Sequence, residues 1–247
     1  MEEEKKTVRA VERALDILLV FTTGSEWSLT ELAAKCGLHK STVHRLLATL
    51  EEKGFVIRDD ATDKYRLGLR VLELSAHFAR SDDPTVVLIG EMEKLRDQMG
   101  ETVSLYIRDR LERVRIQAVQ SRQAIRRVAQ VGIRLPLSVG ASSKVLLAFE
   151  ESNTREALLS DPAWPAGLRS PSYAKQLDEV VAAGYATSFE EREPGAAAVA
   201  APIFSRSGKL VAALAVSGPS NRLTPDVMEE RASAIIGAAT RMGALLD

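Results

Sequence analysis

His39, His44 and His77 are the only histidines in the chain, and Cys36 is its only cysteine. Beyond position 77 there is therefore neither imidazole nor thiol, which removes His triads, Cys–His pairs and histidine metal sites from most of the sequence. No phosphate loop ending in Gly-Lys-Ser/Thr and no G-x-S-x-G elbow occurs. No catalytic residue, metal site or cofactor is assigned. The residues whose spacing does suggest chemistry lie between 40 and 66. On a helical wheel of about 100° per residue, Val43, Leu46, Leu47 and Leu50 share one side. Ser41, Arg45, Ala48 and Glu52 lie opposite, with His44 and Thr42 or Thr49 flanking. Small side chains let such a helix approach a major groove, Arg45 can fork onto a guanine or a phosphate, and the N-terminus beginning at Lys40 favours anions. A solvated face on a three-helix core explains the same pattern, and this helix alone leaves both readings open.

The elements around that helix narrow the choice. Residues 8–21 carry apolar positions at helical spacing (Val11, Ala14, Leu15, Leu18). Ser28-Leu29-Thr30-Glu31 has the form of a capping box opening a second helix to Cys36, and Gly37 supplies a tight turn before the third. Two short helices around a glycine turn spell helix-turn-helix. Gly54 stops the third helix. Residues 55–58 and 64–68 then predict a β-hairpin wing whose Arg58, Lys64 and Arg66 could embrace phosphates, although its acidic tip argues against deep insertion into a minor groove.

Composition sets the outer limits. The 247 residues correspond to one large or two modest domains, and 33 basic against 34 acidic residues make any nucleic-acid affinity a matter of a local patch. The N-terminus is acidic, and the longest apolar stretches, such as residues 196–204, fall far short of a membrane span of about 20 residues. No membrane is expected as a partner, and the expected location is the cytoplasm.

Residues 69–79 predict a helix with apolar surface on more than one side, and residues 80–84 a boundary. A helix over 85–99 follows, then strands over 102–108, 113–120 and 126–131 in an antiparallel meander. A loop over 135–143 feeds a helix from Lys144, and two more helices are expected near 153–159 and 172–183. Strands follow at 184–189, 197–204 and 210–217, the last two joined by a glycine-containing hairpin loop, and one helix capped by Thr224 runs to the C-terminus. The fold class is α+β.

Four stretches together resemble the IclR family of transcriptional regulators. They are Gly37-Leu38-His39-Lys40-Ser41-Thr42-Val43-His44-Arg45-Leu46-Leu47; Tyr65-Arg66-Leu67-Gly68; Leu135-Pro136-Leu137 through Lys144 to Ala148; and Glu193-Pro194-Gly195 through Pro202-Ile203-Phe204, followed by Ser217-Gly218-Pro219 and Arg222-Leu223. The resemblance implies an N-terminal winged helix-turn-helix over residues 1–68 and a linker helix over 69–83. It implies a GAF- or PAS-like effector-binding and oligomerisation domain with an antiparallel sheet over 84–247. It further implies a homodimer or dimer of dimers on a pseudo-palindromic double-stranded DNA operator, a small-molecule effector, and a repressor rather than an activator.

Carried onto this chain, the family's effector site falls on Gly140, Ala141, Ser142, Ser188, Phe189, Ala198, Ala215 and Ser217. The helix opening behind Gly140 offers backbone N–H groups to an anion such as a carboxylate. Similar proteins often carry an acid where Ser188 stands, a cysteine at Ala198 and a serine at Ala215, so the pocket is expected to have lost polar groups and to take a larger or more apolar acid, or to be closed by the alanines. Lys144 is expected to make a structural bond or to face solvent. Arg122, Arg126 and Arg127 are expected on a solvated strand face or a subunit contact. Trp164 could cover the pocket or staple the domain, and Tyr106, Tyr185 and Phe189 could line a cavity or belong to the core. Two rival readings are a C-terminal domain used only for assembly, and a small-molecule enzyme fused to a helix-turn-helix.

Overall fold

The computed structural model describes residues 7–78 and 84–246. The acidic start at residues 1–6 lies outside the described residues, as do residues 79–83 of the linker expected over 69–83 and of the boundary expected over 80–84. The chain divides into two compact units, Met1–Asp83 and Pro84–Asp247.

The first unit contains α1 (Arg9–Val20), β1 (Trp27–Ser28), α2 (Leu29–Cys36), α3 (Lys40–Glu52), β2 (Val56–Arg58), β3 (Lys64–Leu67) and α4 (Leu69–Phe78). The capping box forms: Ser28 Oγ accepts from the Glu31 N–H at 3.3 Å, and the Glu31 carboxylate accepts from the Ser28 N–H at 2.8 Å. Gly37 ends α2 at φ +64°, a left-handed geometry that turns the chain into α3. Ile17, Leu32, Val43, Leu47, Val56 and Tyr65 close the core. The wing is joined by the two-residue β1, which pairs with β3 and was not expected from the sequence. Val11, Leu15 and Leu19 on α1 and Leu69 and Leu72 on α4 remain more than half exposed.

The second unit is built on a six-stranded antiparallel sheet of order β6-β5-β4-β9-β8-β7. Its strands are β4 (Thr102–Asp109), β5 (Glu112–Val119), β6 (Arg134–Pro136), β7 (Ala186–Phe189), β8 (Ala196–Phe204) and β9 (Leu210–Pro219). Two-residue alternation divides the strands between two cores. Val103, Leu105, Val199, Ile203, Leu214 and Val216 pack against α5 (Pro84–Met99) and α10 (Ala232–Gly243). Tyr106, Ala186, Ala200, Ala213 and Ala215 face α6 (Ala141–Ala148) and α8 (Pro171–Ala183). The helix α7 (Ser152–Ser160) and a 3-10 turn at Ala166–Leu168 connect these two helices. Among the described residues, no helix is long and apolar enough to cross a membrane.

Two expectations fail here. Residues 126–131 form no strand; the third strand is β6, paired with β5 through Arg113 and Leu135. Side chains hold the intervening segment instead: Thr102 Oγ1 donates to the Arg127 carbonyl at 2.8 Å and Ser121 Oγ to the Gly100 carbonyl at 2.6 Å. The terminal helix is broken in two, α9 (Pro225–Glu230) and α10, at Arg231, whose guanidinium donates to the Met99 carbonyl at 3.1 Å.

The glycines of α10 provide a test of this packing. A Cβ on Gly243 would stand 2.0 Å from the Phe204 carbonyl oxygen, whereas one on Gly237 meets only the end of the Arg241 side chain at 3.5 Å. Urea unfolding should find Gly243→Ala destabilised by about 1–3 kcal/mol through overpacking. Gly237→Ala should be stabilised by up to about 1 kcal/mol through helix propensity.

Candidate functional site

In the first unit α3 buries Val43, Leu47 and Leu50 and turns Lys40, Ser41, His44 and Arg45 to solvent, with Thr42 half-buried. Arg45 forms no ion pair among the described residues. Together with Arg9 and Arg13 of α1, and with Ser41, Thr42 and Thr49, it lines a surface groove. On β3 the alternation buries Tyr65 and exposes Lys64 and Arg66. Arg58 is exposed but engaged: Asp63 pairs with it at 2.5 Å and holds its guanidinium above the usual range. The acidic wing tip is folded on itself, since the Asp59 carboxylate accepts from the Ala61 and Thr62 N–H groups at 2.9 Å each and is held low by them. The exposed face combines a positive helix N-terminus, short polar side chains and uncommitted cations, which is the chemistry of a duplex-binding surface.

In the second unit a cavity of about 50 Å³ lies between the α6 N-terminus and the sheet. Gly140, Ala141, Ser142, Ser188, Ala198, Ala215 and Ser217 all border it. Phe189 does not: β7 alternates, Ser188 is buried on the cavity side, and Phe189 is 42% exposed. Ala198 and Ala215 stand in the wall, and four arginines that the sequence reading did not assign there, Arg113, Arg115, Arg127 and Arg192, give it positive charge. A bulge between Leu105 and Tyr106 sets Tyr106 opposite Arg115. The guanidinium carbons of Arg115 and Arg113 then stand 5.1 and 5.5 Å from the centre of the Tyr106 ring, within cation–π range.

Both β5 arginines are buried without a carboxylate partner among the described residues. Arg113 donates to the carbonyls of Pro136 (2.9 Å) and Val139 and to Ser143 Oγ, tying down the loop that feeds α6, while its Nε has no partner. Burial, reinforced by repulsion from Arg192 and Arg115, lowers Arg113 to about 10. Arg115 donates to Tyr106 Oη at 2.9 Å and to the Gln130 carbonyl at 3.1 Å. Burial also lowers Arg192, whose nearest carboxylate, Glu193 at 3.4 Å, is shared with Arg127. Ser104 Oγ, on the sheet face of Tyr106 and opposite Ala215, is buried and unpartnered.

Gly140 caps α6 at φ +101°, and a Cβ there would meet Arg113 Nη2 at 3.1 Å. Lys144 takes the structural alternative, donating to the Thr187 carbonyl at 3.0 Å and pairing with Glu191. Trp164 is buried against Tyr173 at 6.3 Å and is absent from the cavity wall, so it staples the domain. Tyr185 joins the first core. Of the three-arginine cluster only Arg127 reaches the cavity. Arg113, Arg115 and Arg192 were missed altogether; the available signal was the repeat of cations on one face of a buried strand.

An exposed duplex-binding helix and a buried anion-attracting cavity in one chain define a ligand-responsive DNA-binding regulator. The comparisons give the same class. Residues 10–60 match the IclR helix-turn-helix domain, and residues 86–243 match the bacterial transcriptional regulator IclR C-terminal domain. The protein belongs to the IclR family of transcriptional regulators and is not an enzyme. It is 32% identical over 222 residues to the transcriptional regulator XynR of Escherichia coli K12, covering 87% of this chain and 88% of XynR. It is 31% identical over 228 residues to the repressor AllR of the same strain, covering 90% and 84%. A Microbacterium hydrocarbonoxydans IclR homologue, solved in complex with 4-hydroxybenzoate, shares the fold at a TM-score of 0.80 and 24% identity, over 94% of this chain and 98% of that one.

Three substitutions probe the two surfaces. Arg45→Ala should weaken binding to a specific DNA site by about 1–3 kcal/mol if Arg45 contacts a base edge, and Arg58→Ala by less because Asp63 already holds Arg58; fluorescence anisotropy at fixed salt measures both. Gly140→Ala should destabilise the second unit by about 1–3 kcal/mol of backbone strain, read by urea unfolding.

Proposed function

We propose that this protein is a cytoplasmic repressor that binds an operator through Lys40, Ser41, Thr42, His44 and Arg45 of α3 and Arg58, Lys64 and Arg66 of the wing. Its effector is a small carboxylic acid held by Gly140, Ala141, Ser142, Ser188, Ala198, Ala215 and Ser217. Residues 1–68 bind DNA, 69–83 link, and 84–247 bind the effector and oligomerise. The observation that carries the effector assignment is the convergence of four arginines and a helix N-terminus on one small cavity. A carboxylate accepts from guanidinium groups bidentately and is favoured at helix N-termini. A carboxylate-bearing ligand in the Microbacterium homologue supports the same choice on a shared fold. The size of the cavity favours a small acid over a large apolar one.

The exposed apolar residues of α1 and α4 support assembly into a homodimer, or a pair of dimers. A dimer meets half-sites one helical turn apart, roughly 34 Å, or multiples of that, so an acid that changes the relative placement of two winged helices moves them out of register. Repression is the sense of regulation named for AllR.

Footprinting on the protein's own upstream DNA at fixed salt, with and without a panel of small carboxylic acids, tests this reading. Protection relieved by one acid is the expected result. Protection indifferent to every acid would overturn the effector assignment and return the second unit to an assembly role.

A further inference from the structure

The charge around the cavity says more about the effector than that it is an acid. Arg113, Arg115, Arg127, Arg192 and Lys144 lie in the cavity wall or in the helix behind it. Among the described residues the carboxylates bonded to them are two, Glu191 on Lys144 and Glu193 shared by Arg127 and Arg192. Arg113 and Arg115 have only neutral acceptors among the described residues, and both are buried. Burial and mutual repulsion lower Arg113 to about 10, which still leaves it charged at neutral pH.

A surplus of buried positive charge is costly unless anions compensate it. One carboxylate would offset only one of the two buried, unpaired charges, Arg113 and Arg115. The donors at the cavity wall come from separate elements: the α6 N-terminus with Ser142, and Arg127 and Arg192 from the segments before β6 and after β7. At that wall, Arg113 Nε has no hydrogen-bond partner among the described residues. The cavity is small, about 50 Å³, which favours a short chain over a long one.

We infer that the effector is a short-chain dianion, a dicarboxylic acid of a few carbons, with one carboxylate at the α6 N-terminus and the other among Arg115, Arg127 and Arg192. This inference rests on the proposed effector reading and narrows the ligand of that same site.

The test is calorimetric titration of the full-length protein with length-matched acids, propionate against malonate and butyrate against succinate, with inorganic phosphate as a third arm. Malonate or succinate should bind at least about tenfold more tightly than its monoacid partner, roughly 1.4 kcal/mol. Arg127→Gln and Arg192→Gln, at partly exposed wall positions, should each weaken diacid binding by a larger factor than monoacid binding, so that the preference shrinks while the unfolding midpoint stays nearly unchanged. Equal affinity within each pair would overturn the dianion while leaving the carboxylic-acid reading standing. Phosphate binding more tightly than either diacid would overturn the two-ended geometry. Absence of binding by every acid would overturn both this inference and the reading beneath it.

Discussion

Arg113 is withdrawn from solvent with its charge intact and, among the described residues, without a carboxylate bonded to it, and much of the second unit is arranged around that fact. Its donors fasten Pro136, Val139 and Ser143, fixing the loop that delivers the α6 N-terminus to the cavity. Its guanidinium lies 3.1 Å from where a Cβ on residue 140 would stand, a tight contact that adds to the φ of +101° in favouring glycine at the cap. It shares the Tyr106 ring with Arg115. The same group that gives the cavity its positive character thus also shapes its mouth, and loss of either role would be felt in the other.

The sheet separates stability from recognition. One face carries Val103, Leu105, Val199, Leu214 and Val216 into the core beneath α5 and α10. The other presents alanines, serines and the Tyr106–Arg115 pair to α6 and the cavity. A side-chain period of two makes this division automatic along a regular strand, and the bulge after Leu105 adjusts it locally so that Tyr106 meets Arg115. In the first unit a comparable separation lies on one helix: α3 buries Val43, Leu47 and Leu50 and exposes Lys40, Ser41 and Arg45.

The parts legible in the sequence were those whose cause is local. The capping box at Ser28, the glycine turn at Gly37, the apolar stripe of α3 and the wing all arise from interactions within a few residues. The cavity was half legible: resemblance led to Gly140, Ser142, Ser188 and Ser217, but Arg113 and Arg115 alternate with Val114 and Ile116 in a way that a single strand read alone would turn toward water. Only pairing across the bulged register reveals that their face is the inner one. The strand expected over 126–131 failed for the converse reason, since alternation there found no partner strand, and the Thr102 and Ser121 hydroxyls hold the segment instead.

The alanines of β8 and β9 have a consequence for how such a sensor diversifies. Ala198 and Ala215 border the cavity, while alternate neighbours, Val199, Leu214 and Val216, belong to the core on the opposite side. A methyl group is the smallest side chain an L-residue can present, so each alanine is a position where a hydroxyl, thiol or carboxyl could be added by few base changes without excavating the core. Around a fixed ring of guanidinium groups, ligand preference can then drift through these strands while the packing that keeps the domain folded is inherited unaltered.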